Sequence, residues 1–469
     1  MAAATEPIPV KAEKRGLTLL AICVGAFMAT LDTSIVNVAL PQIARELGAS
    51  LSAISWVMIA YLIANASLLL SSSRLGDMLA PGYLFLGGML IFSLASTACG
   101  FSTQTWQLIL GRAIQGAGAS LMLGVAPKII TLIYPEGQRG LAFGLFSTAF
   151  ATGISIGAPL GAFITLTWGW PWVFFIKLPI CALAVLAAGR LLIRLAPISD
   201  DRRHEFDWQG GVLFTVTVSL FMWALTQVRS QGWLDIKILV ALAGAGLTFS
   251  LLLLVERRQN TPLLPGVLWR SRAFFLGALA VILTFAAVMG TFFLLPFYLE
   301  EIIHLSPATI GWMLAVLSFS NALVSPLGGL AGDRFNNLLV LRLGALLIVA
   351  GLFALFWLGP AISTRLLALV FVVIGIGFGL FQAPNLNEML QGVKPQMLGL
   401  AAGTNAVLKN IGALLGIALM VTMVSMGDRH HLSFKGTSLG WISFQRAFAL
   451  AVTLAALNLL FNLLPRKSD

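Results

Sequence analysis

The first long apolar segment of the chain begins near Leu17 and ends with Leu31-Asp32-Thr33-Ser34-Ile35-Val36-Asn37-Val38-Ala39-Leu40-Pro41. If this segment is a membrane helix, Asp32 lies in the outer half of a bilayer whose hydrocarbon core is about 30 Å thick. An ionised aspartate costs about 2.5–3.5 kcal/mol at the centre of such a helix. A carboxylate in this position usually faces a partner or a wet cavity, so Asp32 is a candidate functional residue.

Apolar segments of this kind recur along the whole sequence. The 469 residues are 58% hydrophobic and only 10% charged, whereas a soluble domain carries about 25% charged residues. Runs of about 18 or more apolar residues indicate membrane helices, and they are longer than the roughly ten residues of a β-barrel strand. The composition therefore predicts an all-α polytopic membrane protein.

The distribution of basic residues tests a prediction of fourteen membrane spans. The spans are 17–40, 54–73, 83–101, 106–132, 140–164, 171–194, 210–226, 236–255, 273–299, 307–331, 338–358, 364–391, 398–426 and 443–464. With the N-terminus inside, 19 of the 29 Lys and Arg residues lie in inside segments, seven in outside segments and three within spans. Because Lys and Arg concentrate on the cytoplasmic side, this split predicts that both termini are cytoplasmic. The same rule explains the net charge of +11, so we expect no nucleic-acid partner.

A weak internal repeat indicates two halves. Ser73-Arg74-Leu75-Gly76-Asp77 follows the second span, and Gly329-Leu330-Ala331-Gly332-Asp333-Arg334 follows the tenth. Two parallel bundles of six helices would place these turns at equivalent positions. The predicted division is a cytoplasmic N-terminal segment at 1–16, an N-terminal six-helix bundle at 17–194, a central linker with two extra membrane helices at 195–260, a C-terminal six-helix bundle at 261–464 and a cytoplasmic tail at 465–469.

A second costly charge lies at a depth similar to that of Asp32. Arg112 is about six residues inside the outer end of the fourth span, in Leu110-Gly111-Arg112-Ala113-Ile114-Gln115-Gly116-Ala117-Gly118. Because a buried guanidinium needs a partner, we expect Asp32 and Arg112 to interact directly, through water or through Gln115. In the alternative, Arg112 snorkels to the outer interface while Asp32 caps a kink in a packed helix.

Small residues form a stripe along the fifth span. Gly144 is followed by Gly153, Gly157 and Gly161, with Pro159 between the last two. Spacings of four residues between glycines allow close helix contact, and the proline kinks the helix locally. The stripe indicates either ordinary membrane packing or a rigid seam between the two halves.

The later spans carry further polar candidates. The twelfth span contains Gly375, Gly377 and Gly379 followed by Gln382-Ala383-Pro384-Asn385, a pattern that often marks an interrupted helix at a gate or cavity wall. Lys177 and Lys409 lie inside the sixth and thirteenth spans. Either lysine could snorkel, although Lys409 is too central to do so easily. The charged residues within the predicted spans are thus three cations, at positions 112, 177 and 409, and one clear acid, Asp32. This excess of positive charge weakens the expectation of a cationic substrate.

Catalytic and metal-binding patterns are missing from the sequence. It contains no Gly-x-Ser-x-Gly, phosphate-binding loop or dinucleotide fingerprint, and no cysteine or histidine stands at ligand spacing. We therefore expect no enzyme activity, no metal and no cofactor.

Over essentially its whole length the chain resembles the fourteen-helix drug/proton antiporters of the major facilitator superfamily. The first-helix motif of that family is similar to Leu31–Pro41, and its Arg-x-x-Gln-Gly-x-Gly motif matches Arg112, Gln115, Gly116 and Gly118. The antiporter motif of helix five matches the four glycines named above. Trp170-Pro171-Trp172-Val173-Phe174-Phe175 is similar to the family's start of helix six.

The chain also departs from the family pattern. The proline of the antiporter motif stands one position late, at Pro159. The cytoplasmic loop motif around Asp77 has Ser73 in place of its opening glycine and lacks the basic run that follows the aspartate in the family, whereas Asp333-Arg334 retains more of the motif. Lys177 stands where the family usually has Asn. These departures concern substrate identity and gating more than fold.

The resemblance implies a major facilitator fold of two six-helix bundles with two extra helices between them, and a multi-pass protein of the cell (inner) membrane. It implies export of small amphipathic molecules in exchange for protons, by a monomer in the lipid bilayer. Proton coupling is expected at Asp32 and Arg112. The substrate cavity is expected to include Asp32, Asn37, Gln115, Asn385 and Lys409, with gating at Asp77, Asp333 and Arg334. Alternatives are an exporter of lipids, lipid precursors or one organic anion, and a sensor or scaffold that transports nothing.

Overall fold

The computed structural model describes residues 12–134, 136–193, 208–231, 235–258, 266–359, 362–391, 393, 398–426 and 440–463. These ranges contain sixteen helices and no β-strand. The helices are α1 (Ala12–Leu47), α2 (Leu51–Met78), α3 (Pro81–Gly100), α4 (Thr105–Ile133), α5 (Glu136–Trp168), α6 (Trp172–Phe175), α7 (Lys177–Leu192), α8 (Trp208–Gln231), α9 (Ile236–Arg258), α10 (Gly266–Trp269), α11 (Arg272–Glu301), α12 (Pro307–Arg334), α13 (Asn337–Trp357), α14 (Thr364–Leu390), α15 (Leu398–Met426) and α16 (Trp441–Leu463). Residues 1–11 of the predicted N-terminal segment, the polar stretch 199–207 of the predicted central linker and the predicted tail at 465–469 lie outside the described residues. Residues 12–16 of the predicted N-terminal segment already belong to α1.

The helices confirm the prediction of an all-α polytopic membrane protein. Across the described ranges, thirteen helical segments are long and apolar enough to cross a membrane. The remaining predicted span corresponds to α8, whose apolar part, Gln209–Ala224, is shorter. Helix α8 packs against α9 through a small apolar cluster that includes Ala224 and Ile238, and the hydroxyl of Thr217 donates to that of Thr248 at 2.8 Å.

The sixth predicted span is divided into two helices. Helix α6 ends at Phe175, and α7 begins at Lys177. Pro179 has no N–H to donate to the carbonyl of Phe175, one helical turn earlier, so the hydrogen-bond ladder is interrupted at this point. Proline is tolerated in the first turn of a helix, and Lys177 therefore starts a new helix.

The chain divides into two compact units. One comprises Met1–Ala39 and Ala60–Val212, and the other comprises Leu40–Ile59 and Leu213–Asp469. In the first unit α3 packs along α4, and in the second α14 packs between α12 and α13 while α11 packs along α15. The division predicted from the sequence, with bundles at 17–194 and 261–464, stays a prediction.

Glycines bring α5 against α1 within the first unit. A Cβ on Gly157 would lie 2.6 Å from the Cβ of Ser34, and one on Gly161 would lie 2.8 Å from the carbonyl oxygen of Ile35. The hydroxyl of Ser34 donates to the carbonyl of Ile154 at 2.8 Å across the same contact. These contacts favour the packing interpretation of the stripe, because the parts of α1 and α5 that touch here belong to one unit.

Helix α14 is continuous from Thr364 to Leu390, so the expected interruption of the twelfth span is absent. Its glycines serve close packing instead. A Cβ on Gly377 would lie 2.8 Å from the carbonyl oxygen of Gly344 in α13, and one on Gly379 would lie 2.9 Å from that of Asn321 in α12. The small residues let the backbones approach without breaking the helix.

Candidate functional site

Three helices of the first unit converge on the carboxylate of Asp32. Oδ1 accepts hydrogen bonds from Nε2 of Gln115 at 2.9 Å and from Nζ of Lys177. Oδ2 accepts a hydrogen bond from Nη1 of Arg112. Asp32, Arg112, Gln115 and Lys177 have no exposed surface at all. We call these four residues the Asp32 cluster.

Arg112 and Gln115 act on Asp32 together. They lie one turn apart on α4, and Nη1 of Arg112 donates to Oε1 of Gln115 at 2.7 Å as well as to Asp32. The guanidinium carbon lies 4.3 Å from the centre of the Tyr61 ring, where the electron-rich face attracts a cation. The predicted approach of Arg112 to Asp32 is therefore present, and the snorkelling alternative is wrong because Arg112 is fully buried.

Lys177 was not predicted to join Asp32. Its ammonium forms an ion pair with Asp32 and lies 4.8 Å from the centre of the Phe174 ring and 5.7 Å from that of Phe92. The possibility that Lys177 snorkels is wrong, since the side chain is fully buried. The sequence contained one indication of this contact, the depth of Lys177 in the membrane. Lys177 and Arg112 each lie about six residues inside a predicted span.

Close packing of α3 and α4 places Arg112 beside α1. A Cβ on Gly118 would lie 2.6 Å from the backbone nitrogen of Phe92, and one on Gly88 would lie 2.8 Å from the carbonyl oxygen of Gly118. Helix α4 begins with a capping box between Gln104 and Gln107, which satisfies N–H groups at the helix start. The start of α4, and with it Arg112, is thereby fixed.

The Asp32 cluster has an unequal charge balance. If all three ionisable groups are charged, one negative charge faces two positive charges, and the cluster carries +1. Breaking one buried ion pair by removing a partner costs about 3–5 kcal/mol, because the remaining charge is left uncompensated. A proton added to Asp32 would therefore leave Arg112 and Lys177 without their shared counterion.

The second unit holds a cation of a different kind. Nζ of Lys409 on α15 donates to Oε1 of Gln382 on α14 at 3.3 Å, and Nε2 of Gln382 donates to Oδ1 of Asn321 on α12 at 3.3 Å. All three side chains are half-buried. Across the described part of the chain, no carboxylate forms an ion pair with Lys409.

Two other predicted cavity residues are fully buried. Asn37 lies on α1, five residues after Asp32. Asn385 on α14 donates to the carbonyl of Gly277 on α11 at 3.1 Å and lies 3.6 Å from the sulfur of Met389. Their predicted contact with substrate stays a prediction.

The predicted gating motifs lie at helix ends. Asp77 is the penultimate residue of α2, and Asp333 and Arg334 end α12. The side chain of Arg334 is exposed, whereas those of Asp77 and Asp333 lie outside the described residues. Next to Asp77, the carbonyl of Gly76 accepts a hydrogen bond from Nζ of Lys128 at 2.6 Å. Gly144 and Pro159 lie within α5, and the surroundings of Gly144 are also outside the description.

Sequence analysis missed Tyr61 and Asn321, and it named Gln382 only as part of the polar pattern of the twelfth span. Tyr61 lies within an apolar stretch of α2, and its role beside Arg112 depends on how α2 and α4 pack. Gln382 and Asn321 are polar residues within membrane spans, which is itself a weak indication of function. Their connection to Lys409 could not be deduced, because the three residues come from three different helices.

Comparison with known proteins agrees with this architecture. The family model described as Major Facilitator Superfamily matches residues 22–417. The riboflavin transporter RibZ of Clostridioides difficile (strain 630) is 28% identical over 97% of this chain and 99% of its own length. The tetracenomycin C resistance and export protein of Streptomyces glaucescens is 30% identical over 88% of this chain and 76% of its own length.

A solved structure shows the same fold at low sequence identity. The crystal structure of the peptide transporter POT in complex with sulfate superimposes with a TM-score of 0.70, covering 98% of this chain and 96% of that one at 14% identity. This likeness concerns the fold alone. The family match extends over most of the sequence, from the first membrane helix into α15. The chain thus belongs to the Major Facilitator Superfamily and is a multi-pass membrane transporter, not an enzyme.

Proposed function

We propose that the chain is a secondary-active exporter that exchanges protons for small amphipathic molecules by alternating access. The observation that carries the proposal is the Asp32 cluster, a fully buried carboxylate held by two cations from other helices. Ionisable residues within membrane helices are costly and are typical of proton relays in pumps and transporters. No soluble nucleotide-binding motif is present in the sequence to supply another source of energy.

Proton binding would act through the ion pairs. In the ionised state Asp32 holds α1 to α4 and α7. A proton entering from outside would neutralise Asp32 and weaken both pairs, so that the helices can change their packing and release substrate. The energy scale is sufficient, since one elementary charge that crosses about 100 mV yields about 2.3 kcal/mol.

The relatives support export of small organic molecules. The tetracenomycin C protein is named for resistance and export, and another relative is named "Multidrug resistance protein 3". A third relative is named as a riboflavin transporter. We further propose that the chain acts as a monomer in the cell membrane. The 19-to-7 split of basic residues favours a cytoplasmic position for both termini.

The test is transport by the purified protein in proteoliposomes. An imposed pH gradient should drive export of a lipophilic dye from vesicles that contain the wild-type protein. Asp32→Asn should abolish this gradient-driven export, because the amide cannot exchange a proton, while insertion and expression remain normal. Glu46→Gln is the matched control, since Glu46 lies on the same helix α1 and is exposed. Normal export by Asp32→Asn, or none by the wild type, would contradict the proposal.

A further inference from the structure

Lys409 is the feature of the second unit that the proton-coupling proposal does not use. It lies near the middle of α15, a helix of 29 residues, eleven residues after its start at Leu398. A lysine near the centre of a membrane helix is costly and normally pairs with a carboxylate or reaches the interface. Lys409 is too far from both helix ends to reach the interface easily. Across the described residues, it forms no ion pair.

The partner that Lys409 does have is a neutral amide. Its hydrogen bond to Oε1 of Gln382 uses one of the three N–H donors of an ammonium group. Gln382 in turn donates to Asn321, so that its carbonyl is held towards Lys409. An amide compensates a positive charge only partly. Lys409 is therefore a half-buried cation in a membrane-spanning part of the second unit. Among the described residues, its ammonium group uses one of its three N–H donors in a hydrogen bond.

Aromatic rings lie next to this cation. Nζ of Lys409 is 5.4 Å from the centre of the Phe285 ring on α11. Phe285 and Phe378 form an edge-to-face pair with ring centres 5.1 Å apart. Phe285 is half-buried, whereas Phe378 is buried. An aromatic ligand can add to such a pair by offset or edge contact.

We propose that Lys409, Gln382, Asn321 and Phe285 form a subsite for the acidic group of an aromatic organic acid. The carboxylate of the ligand would accept hydrogen bonds from Nζ of Lys409, and its ring would pack against Phe285. Charge-assisted hydrogen bonds of this kind are shorter and stronger than neutral ones. A ligand carboxylate would also supply the counterion that Lys409 does not have among the described residues. The proposal rests on the proposed function only in taking the bound acid to be the exported substrate.

Binding to the purified full-length protein in detergent tests the subsite without any proton gradient. The probes are two matched pairs, naphthalene-2-carboxylate with naphthalene-2-carboxamide and anthracene-9-carboxylate with anthracene-9-carboxamide. Each pair differs in charge and hardly in shape. Titration calorimetry should show that the wild type binds at least one acid tenfold or more tightly than its amide, which corresponds to about 1.4 kcal/mol. Equal affinity for acid and amide in both pairs, or no measurable acid binding, would overturn the proposal.

Substitutions at one position assign the preference to Lys409. Lys409→Gln should bring the acid-to-amide ratio close to one, whereas Lys409→Arg should retain most of it, since the charge is kept. Lys237→Gln controls for the loss of one positive charge, because Lys237 is exposed on α9. Size-exclusion profiles and thermal midpoints show whether each variant is folded. If Lys409→Gln fails to fold, a preference that Lys409→Arg loses completely would overturn the proposal, and a preference that it keeps would support it.

Three further outcomes separate the possible sources of failure. Phosphatidylglycerol is added as a competitor, and an acid preference that it abolishes at equimolar concentration would mean that the cation binds lipid headgroups instead. The binding titration is done without a proton gradient and is therefore independent of transport. If the proteoliposome assay shows no proton-driven export, the proposed function is contradicted but the binding result is unaffected. Conversely, gradient-driven export of a neutral dye by a protein without acid preference would overturn only the subsite.

Discussion

The ammonium of Lys177 forms an ion pair with the carboxylate of Asp32, although 145 positions separate the two residues in the chain. Asp32 thus shares its charge between Lys177 on α7 and Arg112 on α4. In a low-dielectric interior such a shared charge is strongly coupled to its surroundings. A change at either cation should therefore alter the behaviour of Asp32.

Replacing Lys177 by Asn should move the pH profile of export towards alkaline pH. A nearby positive charge favours the ionised form of a carboxylate, so removal of Lys177 lets Asp32 accept a proton at a lower proton concentration. The measurement is the initial export rate in proteoliposomes as a function of outside pH at a constant pH difference. Arg190→Gln is the control, because Arg190 lies on the same helix α7 and is exposed. A profile of Lys177→Asn that coincides with that of the wild type would show that Lys177 does not act on Asp32.

Arg112→Lys should reduce gradient-driven export by at least about tenfold, equivalent to about 1.4 kcal/mol. Arg112 contacts Asp32 and Gln115 together and stacks on Tyr61. The compact ammonium of a lysine cannot reproduce this planar arrangement. The rate is measured at saturating dye, so that a change in dye affinity does not enter.

The matched change for this test is Arg190→Lys, the same substitution at an exposed position. It should leave the export rate within error of the wild type. An Arg112→Lys variant that exports at the normal rate would mean that charge alone is needed at this position, and the geometric argument would fail.

Gly157→Ala should destabilise the protein by about 1–3 kcal/mol, the usual cost of overpacking. The added methyl group would meet the Cβ of Ser34 at 2.6 Å and the carbonyl oxygen of Leu31 at 3.0 Å, and the latter is backbone that cannot turn away. The observable is a lower midpoint of thermal unfolding in detergent, followed by intrinsic fluorescence.

Gly87→Ala is the counterpart at an open position. No atom lies within 4 Å of a Cβ at Gly87 on α3, and alanine favours a helix over glycine by up to about 1 kcal/mol. The midpoint of this variant should stay the same or rise. If both variants lower the midpoint equally, close contact between α5 and α1 is not the reason for glycine at position 157.

Both ends of the chain should lie in the cytoplasm. An even number of spans follows from the unequal distribution of basic residues. Green fluorescent protein fused after Asp469 should therefore be fluorescent in bacterial cells, and alkaline phosphatase fused at the same position should be inactive. The opposite pattern would contradict a cytoplasmic C-terminus.

The sequence by itself determined the membrane fold class and the near-complete set of helices, and it predicted the approach of Arg112 to Asp32. The reason is energetic, since long apolar runs have one stable solution in a bilayer, and a charge inside such a run needs a partner at its own depth. The depth of a residue along a membrane helix can be counted from the sequence. Two charged residues at the same depth in different spans are therefore predicted to interact.

The tertiary structure alone decided which way each side chain faces. It assigned Lys177 to Asp32 and not to the interface, placed Gln382 between Lys409 and Asn321, and turned the glycines of α5 towards α1. Depth does not specify rotation about the helix axis, and in a nearly uniform apolar helix the sequence contains little periodicity that would fix it. Rotation is set by the packing of neighbouring helices, so the partners of each buried charge emerged only from the assembled helices.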